Sequence, residues 1–267
     1  MSIHPTAIVA AGARLAEGVV VGPHAVVEDD TEIGWGTEIR AHAVVKRFTT
    51  LGEGNTVHEG AVLGGEPQDV AFEGAKTRLV IGDGNRIREG VTIHRATRAG
   101  AVTRVGSRCF LMAYVHVAHD NRIGDGVIMA NNAALAGHVE LGDRAFLSAG
   151  VGVHQFCRIG RLAMIGGHSK VTQDALPFLT SDGAPCRAYG LNHVGLRRAG
   201  VPAEHLRALK EGYRLLLRAG LHLPEALERM AALEDPLVGE VIAFVAGAKR
   251  GFAHAARDSR LGDERGE

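Results

Sequence analysis

The stretch LAEGVVVGPHAVVEDDTEIGWGTEIRAHAVV, residues 15–45, carries an aliphatic residue at every sixth position: Leu15, Val21, Val27, Ile33, Ile39 and Val45. Followed outward in both directions, the same register runs from Ile3 to Val171, and 26 of its 29 positions are Leu, Ile, Val or Met. The three exceptions are Asp69, Ala75 and Ala99. The next position is often Gly or another small residue, as in LGEG (51–54), IGDG (81–84) and LGDR (141–144). A fixed short period marks a solenoid, in which each repeat packs mainly on its neighbours. An ordinary sandwich of alternating strands does not hold one period for so long.

Hexads of this form resemble those of the left-handed parallel β-helix. The resemblance implies one short strand and one corner per hexad, and three hexads, 18 residues, per triangular coil. The aliphatic residue then points into the prism, and the small residue beside it is expected to let the corner turn. The left-handed winding is an exception to the right-handed crossover rule and comes from the resemblance, not from the period. Two interruptions, at about 64–80 and 95–104, lose the aliphatic residue and read as loops ejected from the coils, where function commonly sits. Beyond about residue 177 the repeat stops. Residues 202–219 place Leu206, Leu209, Tyr213, Leu216 and Leu217 at helical spacing, with Pro202 suited to the start and Gly220 to the stop. Pro224 and Pro236 read as further helix starts, and the charged tail at 257–267 as a frayed end. The expected fold is therefore all-β, a left-handed parallel β-helix over 1–190, followed by a C-terminal α-helical domain over 191–267.

Composition narrows the function classes. Thirty Lys and Arg balance thirty Asp and Glu, which argues against nucleic-acid binding through a general basic surface. One local excess, seven Lys/Arg against two Glu over 187–218, suits an acidic partner as well as it suits a solvated helix face. Cys109, Cys157 and Cys186 form no CxxC pair and indicate neither a disulfide framework nor a zinc knuckle. The N-terminal MSIHPTAIVAAG lacks signal-peptide character, and no apolar run is long enough to span a bilayer. A soluble cytoplasmic protein with no integral membrane segment is expected.

The coil length also places side chains. Eighteen residues beyond His119 lies Gly137, and eighteen further lies Gln155, with His138 and His154 beside them. If the coils after Val105 are uninterrupted, these groups stack on one edge of the prism, about 4.8 Å apart per coil. A histidine followed by an aspartate, in AHD (118–120), is the arrangement wanted in a general base. Asp120 could orient the ring, or cap a turn, since Asp-Asn is good turn chemistry. The backbone N–H of Gly137, one coil above, could stabilise an oxyanion. A metal reading has a precedent in the three histidines of γ-class carbonic anhydrases, but their His-x4-His pair is absent here, so no metal is expected. No serine or cysteine sits in a nucleophile motif, which favours direct transfer without an acyl-enzyme.

The chain resembles the acyl-[acyl-carrier-protein]–UDP-N-acetylglucosamine O-acyltransferases, which open lipid A biosynthesis. The likeness runs over nearly the whole length. It rests on IHPTAIV (3–9), PQD (67–69), NRIREGVTIHR (85–95), AHD (118–120), NNAALAGHV (131–139), HQFCRIG (154–160) and GLNHVGLRRAG (190–200). The hexad alone is shared by many acyltransferases; TIHR, AHD, LAGH and HQF in this order and spacing are specific. The resemblance implies transfer of a 3-hydroxyacyl chain from acyl carrier protein to the 3-hydroxyl of UDP-N-acetylglucosamine. It implies His119 as the general base, Asp120 as its orienter and Gly137 as the oxyanion donor. Asp69, His94, His116, His138, His154 and Gln155 are implied to contact substrate, and Asn192 and Arg198 to hold the nucleotide. Gly167 matches the position that limits acyl length, and an open glycine implies a long chain. The neighbouring His168, where a smaller residue is common, could shorten that cleft. The resemblance further implies a homotrimer with clefts between subunits and no cofactor beyond the carrier-protein thioester.

Three positions depart from the family pattern. Ala71 stands where a lysine is usual, Val194 where an acid is usual and Ala199 where an arginine is usual; Lys76 could supply the missing loop charge. These changes keep two alternatives open. One is N-acylation of a UDP-3-amino-sugar by the same base, and the other is a scaffold with a decayed site. The N-acyltransferase of the later lipid A step would carry an N-terminal uridine-binding domain, whereas here the hexads begin at Ile3.

Overall fold

A computed structural model of the chain describes residues 1–256. The charged tail read as frayed, 257–267, lies outside the described residues, as does the last part of the 191–267 region. From Ser2 to Val171 the chain forms strands of two to four residues that wind left-handed into three parallel sheets. Each strand pairs with the strand one coil later: Val20–Val21 with Glu38–Ile39, and His116–Val117 with Ala134–Leu135. The repeat aliphatics fill the prism. Ile39, Leu63, Ile87, Leu111 and Leu135 are wholly buried in one continuous core. Burying such side chains contributes roughly 1.5–3 kcal/mol each, which lets two-residue strands persist.

The corners work differently from the expectation. The residue that turns the chain at positive φ lies three places after the aliphatic, at His24, Asp30, His42, Asp120, Asn132 and His138 among others. The small residue directly after the aliphatic serves close approach instead. A Cβ on Gly34 would lie 2.5 Å from the Gly52 carbonyl carbon, and one on Gly124 would lie 2.8 Å from the Asp143 nitrogen. Two buried corner asparagines satisfy each other and the next coil: Asn85 Nδ2 donates to Asn55 Oδ1 at 2.9 Å, and Cys109 N to Asn85 Oδ1 at 2.7 Å.

The two breaks in the repeat leave the coil body as loops. They are narrower than the period suggests, because the strands Arg78–Ile81 and Val102–Val105 pair with each other along their full length. After Val171 a hairpin, Leu179–Asp182 with Arg187–Leu191, closes one sheet. Four helices follow among the described residues: α1 (His193–Arg198), α2 (Ala203–Leu217), α3 (Leu223–Ala231) and α4 (Pro236–Ala246). Pro202 precedes α2, Pro224 lies in the first turn of α3, and Pro236 opens α4. Their apolar faces build a second core around Phe178, Leu209, Leu215, Met230 and Val238. Arg158 ties this region to the coils through Asp174, at 2.6 Å, and the Phe244 carbonyl, at 2.7 Å. The three cysteines are free and buried, and burial pushes each thiol up to about 11. No helix among the described residues is long and apolar enough to cross a membrane.

Candidate active site

The edge marked out by the 18-residue arithmetic exists. Strand pairing aligns His116 with Ala134 and Gly152, and Arg122 with Glu140 and Arg158. The corners between them therefore stack. His138 N donates to the His119 carbonyl at 3.1 Å, and Phe156 N to the Gly137 carbonyl at 3.2 Å. This superposes His119, Gly137 and Gln155.

Asp120 takes positive φ, +60°, at its corner, which swings its carboxylate back beside the preceding ring. His119 Nδ1 and Asp120 Oδ2 are 2.9 Å apart. With an ionised carboxylate, Nδ1 must carry the proton, and Nε2 keeps its lone pair. Asp120 also accepts from the Thr97 hydroxyl at 2.8 Å and from the Thr97 N–H, while its own N–H donates to Thr103 Oγ1 at 2.8 Å. Burial works to raise the Asp120 carboxyl, but hydrogen bonds from His119 and Thr97 outweigh it and hold the group below its ordinary value. A side chain on Gly137 has no room: its Cβ would lie 2.4 Å from His119 Cε1 and 2.8 Å from Nε2. The glycine thus brings its backbone against the His119 ring, and its N–H has no acceptor among the described residues.

Around this pair stand the other histidines. His138 meets His119 edge to face at 5.4 Å and stacks on Phe156 at 4.7 Å, with its Nε2 3.7 Å from Asp120 Oδ2. On the other side of His119, His94 and His116 meet edge to face at 5.2 Å. His116 Nδ1 bonds the Thr92 hydroxyl at 2.8 Å, and His94 Nδ1 bonds the Glu66 carbonyl. Burial first, then the neighbouring His119, lowers the His94 pKa; burial, then His94 and His119, lowers that of His116. His154 and Gln155 are exposed above Gly137, and His154 Nδ1 faces the Gln155 carbonyl at 3.1 Å. His119, Asp120 and His138 offer three potential ligand atoms within 4.8 Å of one another. The His119 nitrogen nearest Asp120 is, however, directly hydrogen bonded to it.

Other sequence-derived candidates lie apart. Asp69, in the ejected loop, accepts from the Ala71 N–H at 2.9 Å in a local turn. Lys76 Nζ sits over the Phe48 ring at 5.1 Å, at the loop's base. Asn192 caps α1 by accepting from the Gly195 N–H at 2.9 Å, and with Val194 and Arg198 it lines a cavity of about 430 Å³. The floor of that cavity is the sheet containing Ile128, Phe146 and Met164, which is the face of the prism opposite the histidine edge. Gly167 and His168 are exposed at another corner, with His168 folded against Gly150. Reading the sequence had missed Thr92, Thr97, Thr103 and Phe156. Phe156 was accessible to the same arithmetic, one coil beyond His138. Thr97 was not, because its loop interrupts the period.

A family model described as UDP-N-acetylglucosamine O-acyltransferase, domain 2, matches residues 174–253. A bacterial transferase hexapeptide model of six repeats matches residues 12–47. The acyl-[acyl-carrier-protein]–UDP-N-acetylglucosamine O-acyltransferase of Alkalilimnicola ehrlichii is 48% identical over 253 residues, which are 94% of this chain and 98% of that protein. The solved UDP-N-acetylglucosamine O-acyltransferase of Moraxella catarrhalis superposes with a TM-score of 0.92 at 39% identity, covering 95% of this chain and all of that one. The Francisella novicida UDP-N-acetylglucosamine acyltransferase gives a TM-score of 0.93 at 34% identity over 99% of both chains.

Proposed function

The chain belongs to the acyl-[acyl-carrier-protein]–UDP-N-acetylglucosamine O-acyltransferase family, and from that premise we propose how its own residues perform the transfer. The enzyme is an acyltransferase that esterifies UDP-N-acetylglucosamine from an acyl carrier protein, the first step of lipid A assembly, and we place it in the cytoplasm. His119 Nε2 takes the proton of the sugar 3-hydroxyl as its oxygen attacks the thioester carbonyl. The Gly137 N–H receives the charge that develops on the carbonyl oxygen. Collapse of the tetrahedral intermediate breaks the carbon–sulfur bond. The imidazolium returns its proton to the leaving thiolate, and Asp120 balances its charge meanwhile. His94, His116, His138, His154, Gln155 and Asp69 orient the substrates.

The observation that carries this reading is the His119–Asp120 contact of 2.9 Å directly against a glycine that leaves room for nothing but backbone. No metal enters the scheme, so activity should survive dialysis against a chelator; loss of activity restored by zinc would move His119, Asp120 and His138 to a ligand role. In one chain, Asn192 and Arg198 sit on the face opposite His119, which supports a homotrimer whose clefts draw the base from one subunit and the nucleotide contacts from another. The division into a coil domain at 1–190 and a helical domain from 191 belongs to the same reading. Gly167, whose added Cβ would meet nothing closer than 3.6 Å, leaves space for a long acyl chain. Gly167→Met should shift donor preference to shorter chains.

The decisive assay is mass-spectrometric. Purified protein is given UDP-N-acetylglucosamine, or its 3-amino analogue, and 3-hydroxyacyl carrier proteins of several lengths. An ester on the 3-hydroxyl is expected; acylation of the amine alone would reassign the acceptor.

A further inference from the structure

The first four coils carry the histidines His4, His24, His42 and His58, and no other histidine lies in residues 1–60. All four stand at one edge of the prism. It is the edge between the sheet of Val20–Val21 and Glu38–Ile39 and the sheet of Val26–Val27 and Val44–Val45, not the edge of His119. Two of the four are engaged within the chain. His4 Nδ1 bonds the Thr6 hydroxyl at 2.9 Å, and His58 sits among Arg40, Glu59 and Glu89. His24 and His42, one coil apart, are exposed and stack on each other, with centroids 5.1 Å apart and planes 15° from parallel. Their ring nitrogens have no hydrogen-bond or ion-pair partner among the described residues.

The first of these two sheets floors the cavity of Asn192 and Arg198, so it faces one neighbour in the trimer proposed above. Outward side chains decide which sheet faces the other neighbour. Those of the second sheet are mainly aliphatic, with Val26, Val44, Val62 and Ala134. Those of the third are mainly charged, with Arg14, Glu32, Arg104 and Glu140. The centre of a subunit contact is depleted in charge and enriched in apolar surface. The first and second sheets therefore make the contacts, and the edge they share points at the threefold axis. That edge carries His24 and His42.

We propose that His24 and His42 of three chains together bind a divalent transition ion of the zinc or nickel class on that axis. The inference rests on the trimer reading above. An imidazole coordinates through a nitrogen lone pair in its own ring plane. Two stacked rings send their lone pairs out side by side and do not converge on one ion, so one chain alone makes no site. Threefold rotation sets three copies of each ring round one point. Imidazole nitrogen suits zinc and nickel, whereas magnesium and calcium take oxygen ligands. The ion clamps the N-terminal coils of the three chains together. It takes no part in the transfer, which proceeds at a different edge.

The test uses tag-free, full-length protein stripped with a chelator, its oligomeric state read by light scattering. Equilibrium dialysis against Zn²⁺, and separately Ni²⁺, should find one or two ions per trimer. Saturating Zn²⁺ should raise the melting temperature by at least about 2 °C, because the ion binds only the assembled protein. His24→Gln/His42→Gln should stay trimeric, lose those ions and show no such rise. Its kcat in the stripped state should match wild type within about twofold. Ions kept by the double variant, or bound at one or more per chain, would overturn the proposal. They would point to His119, Asp120 and His138 or to His58, Glu59 and Glu89, each of which groups three donors within one chain. A trimer that takes up no ion would sink this site alone, and a monomer would sink the trimer reading and the site with it. Should the double variant fail to assemble, spin resonance of Cu²⁺ on wild type reads the ligands directly. At least three imidazole nitrogens are expected, and a signal from one or two would overturn the axial site.

Discussion

An alanine at position 137 would place its Cβ 2.4 Å from His119 Cε1, so the ring would have to leave its contact with Asp120. Gly137→Ala should therefore reduce kcat by about 10²–10⁴, as displacing a general base from its orienting partner does, with little change in secondary structure by circular dichroism. His119→Ala should cost about 10²–10⁴ in kcat, the usual contribution of a general base. Retention of more than a tenth of wild-type activity by His119→Ala would remove it from that role. The flanking histidines give a pH signature in stability. Burial lowers the pKa of His94 and His116 in the folded protein. The unfolded chain, with values near about 6.5, then binds more protons as pH falls. Their stabilising contribution is complete above that value and is lost as pH drops toward the lowered folded pKa values. Melting temperature should fall with pH in this window, and His94→Gln/His116→Gln should flatten the slope; an unchanged slope would refute the assignment. Asp120 acts at lower pH with the same direction, since its depressed pKa adds stability that disappears as the carboxylate protonates.

At the scale of the coil, two glycines two residues apart do different jobs. Gly36 turns a corner at φ +64° with nothing within 4 Å, whereas Gly34 lies against the backbone of the next coil. Gly36→Ala should cost about 1 kcal/mol for the left-handed conformation. Gly34→Ala forces backbone apart and should cost about 2–3 kcal/mol. Urea unfolding of both variants checks the order, and a larger loss at Gly36 would contradict it. The hexad was legible because each short strand has one inward side chain, so the period of the core is the period of the chain. Stacking of His119 under Gly137 and Gln155 followed from that period and 18 residues per coil. The turning residue was not legible: any of His24, Asp30, Phe48 or Tyr114 can hold positive φ once coils above and below fix it. Nor was Thr97, which reaches Asp120 from a loop that obeys no repeat. The strands Arg78–Ile81 and Val102–Val105 outgrow the hexad because consecutive ejected loops bring their flanks into mutual register. α1 has only six residues, too few to display a helical period.

Across the whole molecule the prism separates two sets of groups that the proposed reaction must join. The histidine edge lies between two sheets, and the cavity of Asn192 and Arg198 lies on the third. A rigid stack of coils, each tied to the next by strand hydrogen bonds and buried aliphatics, does not bend one face round to the opposite edge. The proposed association of identical chains about a threefold axis would join them, because a heterologous contact sets a face of one subunit against an edge of the next and closes into a ring. This makes a specific forecast. His119→Ala and Arg198→Glu, each purified alone, should transfer acyl groups poorly at low UDP-N-acetylglucosamine. Trimers assembled from equal amounts of the two should recover activity, because about one cleft in four would pair an intact His119 with an intact Arg198 from its neighbour. Subunits that each held a complete site would give no recovery at any mixing ratio, since every site would then carry one defect.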